Sequence, residues 1–173
     1  MADTFSSKTR DIFMTGLRNA HAMENQALSI MRPQVSRIEN YPNVARRLEQ
    51  HITETENQIS RLDQILGGAG ESNSTLKDAA LSFMGTMAAL GHSMAGDEII
   101  KNSFANFAFE NFEAAAYTSL ITLADAGSFA RATPLLQTSL REEQAMAAWI
   151  DDNNASLTMK YIARRAAGET ASH

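Results

Sequence analysis

The sequence contains no cysteine, only three prolines, and few aromatic residues, which make up 7% of its 173 residues. The absence of cysteine excludes disulfide bonds, thiolate catalysis and cysteine-ligated metal sites. The scarcity of aromatic and β-branched clusters disfavours strands. Hydrophobic residues nevertheless reach 44%, mostly as alanine, leucine, isoleucine and methionine, which helices accept well. We therefore predict an all-α fold.

The sequence also lacks a block of basic residues, a secretion signal and a convincing membrane span. The net charge is −5, with both signs mixed along the chain, and the longest basic feature near the C-terminus is Arg164-Arg165. This pattern disfavours nucleic-acid binding. The stretch from Ala79 to Gly96 carries no formal charge, but glycines and polar residues interrupt it. We expect a cytoplasmic protein that binds neither nucleic acid nor membranes.

Apolar residues recur at spacings of three and four and predict four long helices. Turn signals separate them: the string IENYPN, the string GGAG and the string DAGS. The run Asp151-Asp152-Asn153-Asn154 predicts the end of the fourth helix, with Ser156 capping a last short one. A long linker between the second and third helices predicts a crossover and an up-down-down-up bundle. The predicted helices, in one domain of residues 1–173, span about residues 5–35, 43–66, 97–126 and 132–152, with a crossover helix at 76–90 and a C-terminal helix at 156–167.

Glutamates interrupt the apolar faces of the four long helices. Glu24 and Glu54 lie equally far from the first turn, and Glu110 and Glu143 lie nearly equally far from the second. Each is about 15 residues from its turn, or roughly 22 Å along a helix. Packing the two hairpins together would therefore gather four carboxylates near mid-bundle. Since buried carboxylates are costly without a partner, we predict that they hold metal or share protons.

Further ligands and supporting groups are available at helical spacing. Glu113 lies one turn after Glu110, and His51 lies one turn before Glu54. His51 is either a ligand or a hydrogen-bonded core histidine. Oxygen-rich sites with an occasional imidazole suit iron or manganese, with zinc as an alternative. Other residues considered are Tyr117 and Gln58 as donors that orient the carboxylates, Glu142 as a replacement for Glu143, His21 as a structural residue, and His92 and His173 as uninvolved.

Four strings of the sequence carry a resemblance to the YciE/YciF-type ferritin-like proteins of bacteria. They are AMENQAL, HITETENQISRL, ENFEAAAYTSLITLADAG and LLQTSLREEQ, and the resemblance covers nearly the whole chain. It implies a ferritin-like bundle, a homodimer, a link to bacterial stress responses and a site for two metal ions, with iron favoured. The implied ligands are Glu24, Glu54, Glu110, Glu113 and Glu143.

The chain departs from the Glu-x-x-His pattern of ferritins, because Asn57 and Met146 stand three positions after Glu54 and Glu143. Three hypotheses follow. The protein is a redox-active di-metal protein that handles oxygen, peroxide or ferrous iron. Alternatively, it is a metal-stabilised structural or interaction bundle without turnover, or a metal-free bundle whose glutamates share protons. The sequence leaves open whether it is an enzyme and on what substrate it acts.

Overall fold

A computed structural model describes residues 2–69 and 96–173, and these residues form four α-helices. Pro42 begins the second helix and Pro134 lies in the first turn of the fourth, where a missing N–H is tolerated. The predicted all-α fold is confirmed. The predicted crossover helix at 76–90 and His92 lie outside the described residues. The helices are α1 (Ala2–Arg37), α2 (Pro42–Gly68), α3 (Glu98–Ala126) and α4 (Thr133–Ala166).

Contacts between the hairpins fix the direction of each helix. In α1 and α3, Glu24 bonds to Tyr117 and Gln34 bonds to Asn106, so the residue numbers run in opposite directions. In α2 and α4, Gln58 bonds to Glu143 in the middle of the bundle, whereas Val44 and Leu157 pack in the same small core near the start of α2. Because α1 and α2 form a hairpin, this order is up-down-down-up, as predicted for a ferritin-like bundle. The C-terminal end of α2 and the N-terminal end of α3 therefore lie at opposite ends of the bundle.

The fourth helix corrects one prediction. The polar run at 151–154 does not end it, and α4 continues through the predicted cap Ser156 to Ala166. Asn153 Nδ2 donates to the Trp149 carbonyl at 2.8 Å, and Ser156 Oγ donates to the Asn153 carbonyl at 2.9 Å. These bonds occupy the polar side chains without interrupting the helix. Leu157 packs with Tyr41 and Ile99 in a second small core, which supports the extension.

The main core lies between the four helices and is closed at one end by the turn after α3. Gly127 allows this turn to tighten, because an added Cβ would collide with the ring of Phe129. The Phe129 ring stacks on Phe13 with centroids 4.7 Å apart. The largest fully buried apolar side chains of the core are Phe13, Leu17, Met23, Leu48, Leu62, Tyr117, Leu136 and Met146.

No helix in the described ranges combines the length and apolar character needed to cross a membrane.

Candidate metal centre

Four buried side chains from three helices meet in the middle of the bundle. His51 comes from α2, Glu110 and Glu113 come from α3, and Glu143 comes from α4. Each offers a ligand atom, and these atoms all lie within 4.8 Å of one another. Such spacing would let one or two cations contact several of them. The structure thus brings together four of the six residues singled out in the sequence.

Glu24 on α1 adjoins this group, and its side chain is fully buried. Its Oε1 accepts a hydrogen bond from the Tyr117 hydroxyl at 2.6 Å, whereas no donor in the described chain reaches Oε2. Burial raises the pKa of Glu24 well above its ordinary value, and the charge of Glu143 adds to this shift. The bond from Tyr117 opposes the shift. Tyr117 therefore has the orienting role expected of it.

His51 lies between an inner and an outer carboxylate. Its Nε2 is 2.9 Å from Glu110 Oε2, and its Nδ1 is 2.8 Å from Glu54 Oε2. Burial by itself would lower the pKa of His51. The close pairing with the carboxylates of Glu110 and Glu143, together with the hydrogen bond with Glu54, outweighs burial and raises the pKa of His51 to about 12. A raised pKa favours the protonated imidazole, whose positive charge would partly offset the charges of the neighbouring carboxylates.

Glu54 is not among the four clustered residues. Its carboxylate lies on the outer side of the imidazole and is partly exposed to solvent. It also accepts bonds from Arg47 at 3.1 Å and from Gln50 at 2.8 Å. Partial burial opposes ionisation, but the bond with His51 and the charge of Arg47 lower the pKa of Glu54 to about 2. The structure thus places Glu54 where it orients the histidine.

The two α3 carboxylates bind protons unusually tightly. Burial raises the pKa of Glu110 to about 8, against the opposing effect of His51. Burial also raises the pKa of Glu113 well above its ordinary value, and the charges of Glu24 and Glu143 add to it. No hydrogen-bond donor in the described residues reaches either oxygen of Glu113. A bare carboxylate in this position is stable only with a proton or a cation.

A second layer of polar residues lies outside Glu143. Gln58, which is fully buried, donates through Nε2 to Glu143 Oε1 and, at 3.1 Å, to Glu142 Oε2. Arg61 holds Glu142 with two bonds of 2.7 Å and also donates to Ser139 Oγ at 3.0 Å. The rotation of α4 therefore directs Glu143 inward and Glu142 toward the edge. Gln58 has the expected orienting role.

The remaining histidines of the described chain lie elsewhere. His21 Nε2 is 3.2 Å from Asp63, at the edge of the first hairpin, and His173 interacts with Ser172. Sequence reasoning missed the two arginines that hold the outer carboxylates, Arg47 and Arg61. Helical spacing could have indicated both arginines. Arg47 precedes His51 by one turn and Arg61 follows Gln58 by one turn, so each lies on the same face of α2 as a residue of the site.

These residues fit a metal ion. Glu113 offers two buried oxygens without donors, Glu24 offers one, and His51 adds a nitrogen. The buried His/Glu group can therefore hold a cation, and its donors are mainly carboxylate oxygens. Oxygen donors with one imidazole suit iron, manganese or zinc.

Comparison with known proteins identifies the family. The model of a domain of unknown function, DUF892, matches residues 8–163. The chain belongs to this family. It is 30% identical to the protein YciF of Escherichia coli K12 over 146 residues, which cover 78% of this chain and 83% of YciF. The resemblance to YciE/YciF-type proteins is confirmed.

Solved structures support the same relationship. A Xanthomonas campestris protein superposes with a TM-score of 0.76 at 27% identity, covering 91% of this chain and 98% of the other. The E. coli stress protein YciF superposes with a TM-score of 0.69 at 25% identity, covering 86% of this chain and 97% of YciF. A Rhodopseudomonas palustris protein, 23% identical with a TM-score of 0.65, covers 83% of this chain and 92% of its own and shares the fold.

Proposed function

We propose that this protein is a ferritin-like di-metal carboxylate protein that handles oxygen, peroxide or ferrous iron, with iron as its metal. The observation that supports this proposal most directly is a group of buried ligand atoms in the middle of the bundle. These atoms belong to His51, Glu110, Glu113 and Glu143, with Glu24 beside them. Four ionised glutamates would carry a charge of about −4, which two divalent cations would balance. This charge balance supports two ions rather than one.

The chain's own residues would prepare the site in specific ways. His51 would offer Nε2 to the metal, and Glu54 would accept the hydrogen of Nδ1 and so hold the ring in place. Tyr117 would keep Glu24 in position, and Gln58 would do the same for Glu143. When bound, the metal would supply Lewis acidity and redox chemistry. The surrounding core excludes water from the carboxylates.

The biological setting that we propose is a bacterial stress response in the cytoplasm. Its support is the E. coli relative, which is described as a stress protein. The relative's name gives neither the metal nor the substrate. The setting is therefore secondary to the chemistry of the site.

We also propose that two copies of the chain form a homodimer. Three aromatic side chains of α3 are exposed to solvent: Phe104, Phe107 and Phe112. Exposed apolar surface of this kind is typical of association sites. A metal-stabilised bundle that serves only as an interaction module is the alternative function, and this exposed surface is the observation that favours it.

Metal analysis of the purified protein tests the main proposal. We expect about two iron or manganese ions per chain after anaerobic loading, and loss of both in a Glu113→Gln, Glu143→Gln double variant. A Glu49→Gln, Glu56→Gln variant is the matched control, because it makes the same charge change on exposed positions of α2. Absence of metal from the loaded wild-type protein would overturn the proposal. With metal bound, oxygen or peroxide consumption no faster than that of free ferrous iron would leave the structural alternative.

A further inference from the structure

Two ion pairs lie between the buried cluster and solvent on the α2–α4 side of the bundle. One joins Arg61 to Glu142, with side chains 18% and 22% exposed, and the other joins Arg47 to Glu54. Each pair touches the centre through one buried residue, Gln58 for the first and His51 for the second. In the described residues of α1 and α3, no hydrogen bond or ion pair links a partly exposed carboxylate to the cluster. The polar connection to solvent therefore lies on the α2–α4 side.

Gln58 connects the outer carboxylate to the inner one. Its amide nitrogen donates to both Glu142 and Glu143, which are neighbours in α4. Its Oε1 is buried, and no donor in the described chain reaches it. An amide oxygen without a donor is a ready ligand for a hard cation, and a half-turn of the amide would bring it to the place between the two carboxylates that Nε2 occupies. Together these three side chains make a continuous series of polar contacts from the partly exposed Glu142 to the buried cluster.

We propose that divalent cations enter the centre along this series, with Glu142 as the first ligand and Gln58 Oε1 as the next, before transfer to Glu143. This inference rests on the proposed metal-binding function. The other ion pair is a poorer path, because the His51 ring separates Glu54 from Glu110 and contacts both. A cation at Glu54 would have to pass the imidazole.

Arg61 opposes the first step of this path. Its guanidinium holds both oxygens of Glu142, so an arriving cation must displace it. Removal of Glu142 should therefore slow metal uptake, and removal of Arg61 should accelerate it. General electrostatic attraction would give the same two signs for association, but it would make dissociation from Glu142→Gln faster, whereas loss of a path residue makes dissociation slower.

Stopped-flow binding of Co²⁺ to the full-length metal-free protein tests the path. The sole tryptophan, Trp149, is the reporter, because it follows Glu143 by six residues in α4, roughly 9 Å along the helix. The variants are Glu142→Gln and Arg61→Gln. The matched controls are Glu56→Gln and Arg32→Gln, which break an exposed Arg–Glu pair of 2.8 Å that is bonded to none of the cluster residues.

We expect the association rate constant to fall about 5-fold or more in Glu142→Gln and to rise about 2-fold or more in Arg61→Gln, relative to their controls. The dissociation rate constant, measured by chelator capture, should fall in parallel in Glu142→Gln, because a path residue changes both directions alike. Equal rates in Glu142→Gln and Glu56→Gln, or changes of the same sign in both α2–α4 variants, would overturn the path. Circular dichroism melting confirms that each variant is folded. If wild-type protein binds no Co²⁺ at equilibrium, the proposed function itself fails, which is a distinct result.

Discussion

The Tyr117 hydroxyl lies 2.6 Å from Glu24 Oε1 and donates its hydrogen to that carboxylate across the interface of α1 and α3. Both side chains are fully buried. The bond satisfies one oxygen of a carboxylate whose other oxygen has no donor in the described chain. Tyr117 is therefore both a structural link between the two hairpins and a support for one proposed ligand.

Replacing Tyr117 with phenylalanine should remove this bond while keeping the ring. Glu24 would then be buried without a hydrogen-bond donor, so we expect the metal-free protein to lose about 1–3 kcal/mol of unfolding free energy. Urea denaturation followed by circular dichroism measures this loss.

Tyr161→Phe is the matched control, because the Tyr161 hydroxyl bonds a single carbonyl, that of Gly96, at 3.1 Å and in a more exposed place. Its expected cost is smaller than that of Tyr117→Phe. Equal stabilities of the two variants would contradict the role given to the Tyr117–Glu24 bond.

The metal-free protein should lose stability as the pH rises from about 5.5 to about 8.5. The pKa of Glu110 is raised from 4.5 to about 8, so its contribution is complete below its unfolded pKa and is lost as the pH approaches 8. The pKa of His51 is raised from 6.5 to about 12, and its contribution falls in the same direction above pH 6.5. The pKa of Glu54 is lowered to about 2, so its contribution changes only below 4.5. Tm measured with a chelator present should therefore decrease across this range.

Bound metal should reverse this trend, because it replaces protons on the same atoms and so binds more tightly as the pH rises. The difference in Tm between loaded and metal-free protein should widen with pH. Glu113→Gln removes one carboxyl whose pKa is raised, and it should flatten the metal-free profile and raise Tm at the alkaline end. Glu56→Gln, on the exposed surface, should leave the slope unchanged. A metal-free Tm that increases toward pH 8.5 would contradict the protonation states described for the site.

The sequence predicted the four long helices, their order and most of the buried cluster, because apolar spacing and distance from a turn are both readable along a chain. Distance from a turn gives the height of a residue in the bundle but not its direction around the helix. For this reason Glu54 was expected beside Glu110, whereas His51, three residues earlier, occupies the inward position. The uninterrupted α4 was missed because Asn153 satisfies a carbonyl within the helix, which its residue type alone does not reveal.

Phe104 and Phe107 should hold the homodimer together if the exposed face of α3 is its interface. A Phe104→Asp, Phe107→Asp variant places charges on that face and should shift the protein from dimer to monomer in light scattering. Met159→Asp, Ile162→Asp is the matched control, since both residues are exposed and apolar but lie near the end of α4. A dimer that persists in the α3 variant, or a wild-type monomer, would count against this interface.

Glu54→Gln should weaken metal binding through His51 and not through the path of metal uptake. The glutamine cannot accept the Nδ1 hydrogen as a carboxylate does, so the ring becomes less firmly oriented and its Nε2 a poorer donor to metal. We expect Co²⁺ affinity to fall about 10-fold, with most of the change in the dissociation rate constant.

This result would show that the two outer carboxylates, Glu54 and Glu142, affect metal binding in different ways. Glu142→Gln should change association and dissociation in parallel, whereas Glu54→Gln should change dissociation and leave association close to that of the Glu56→Gln control. Both substitutions remove one negative charge from a partly exposed residue that is paired with an arginine. General electrostatic attraction would therefore affect them equally, and a difference between their rate constants must come from the positions of Gln58 and His51. If Glu54→Gln slows association as much as Glu142→Gln does, Glu54 belongs to the uptake path as well. The His51 imidazole would then not block the passage of a cation from Glu54 to Glu110.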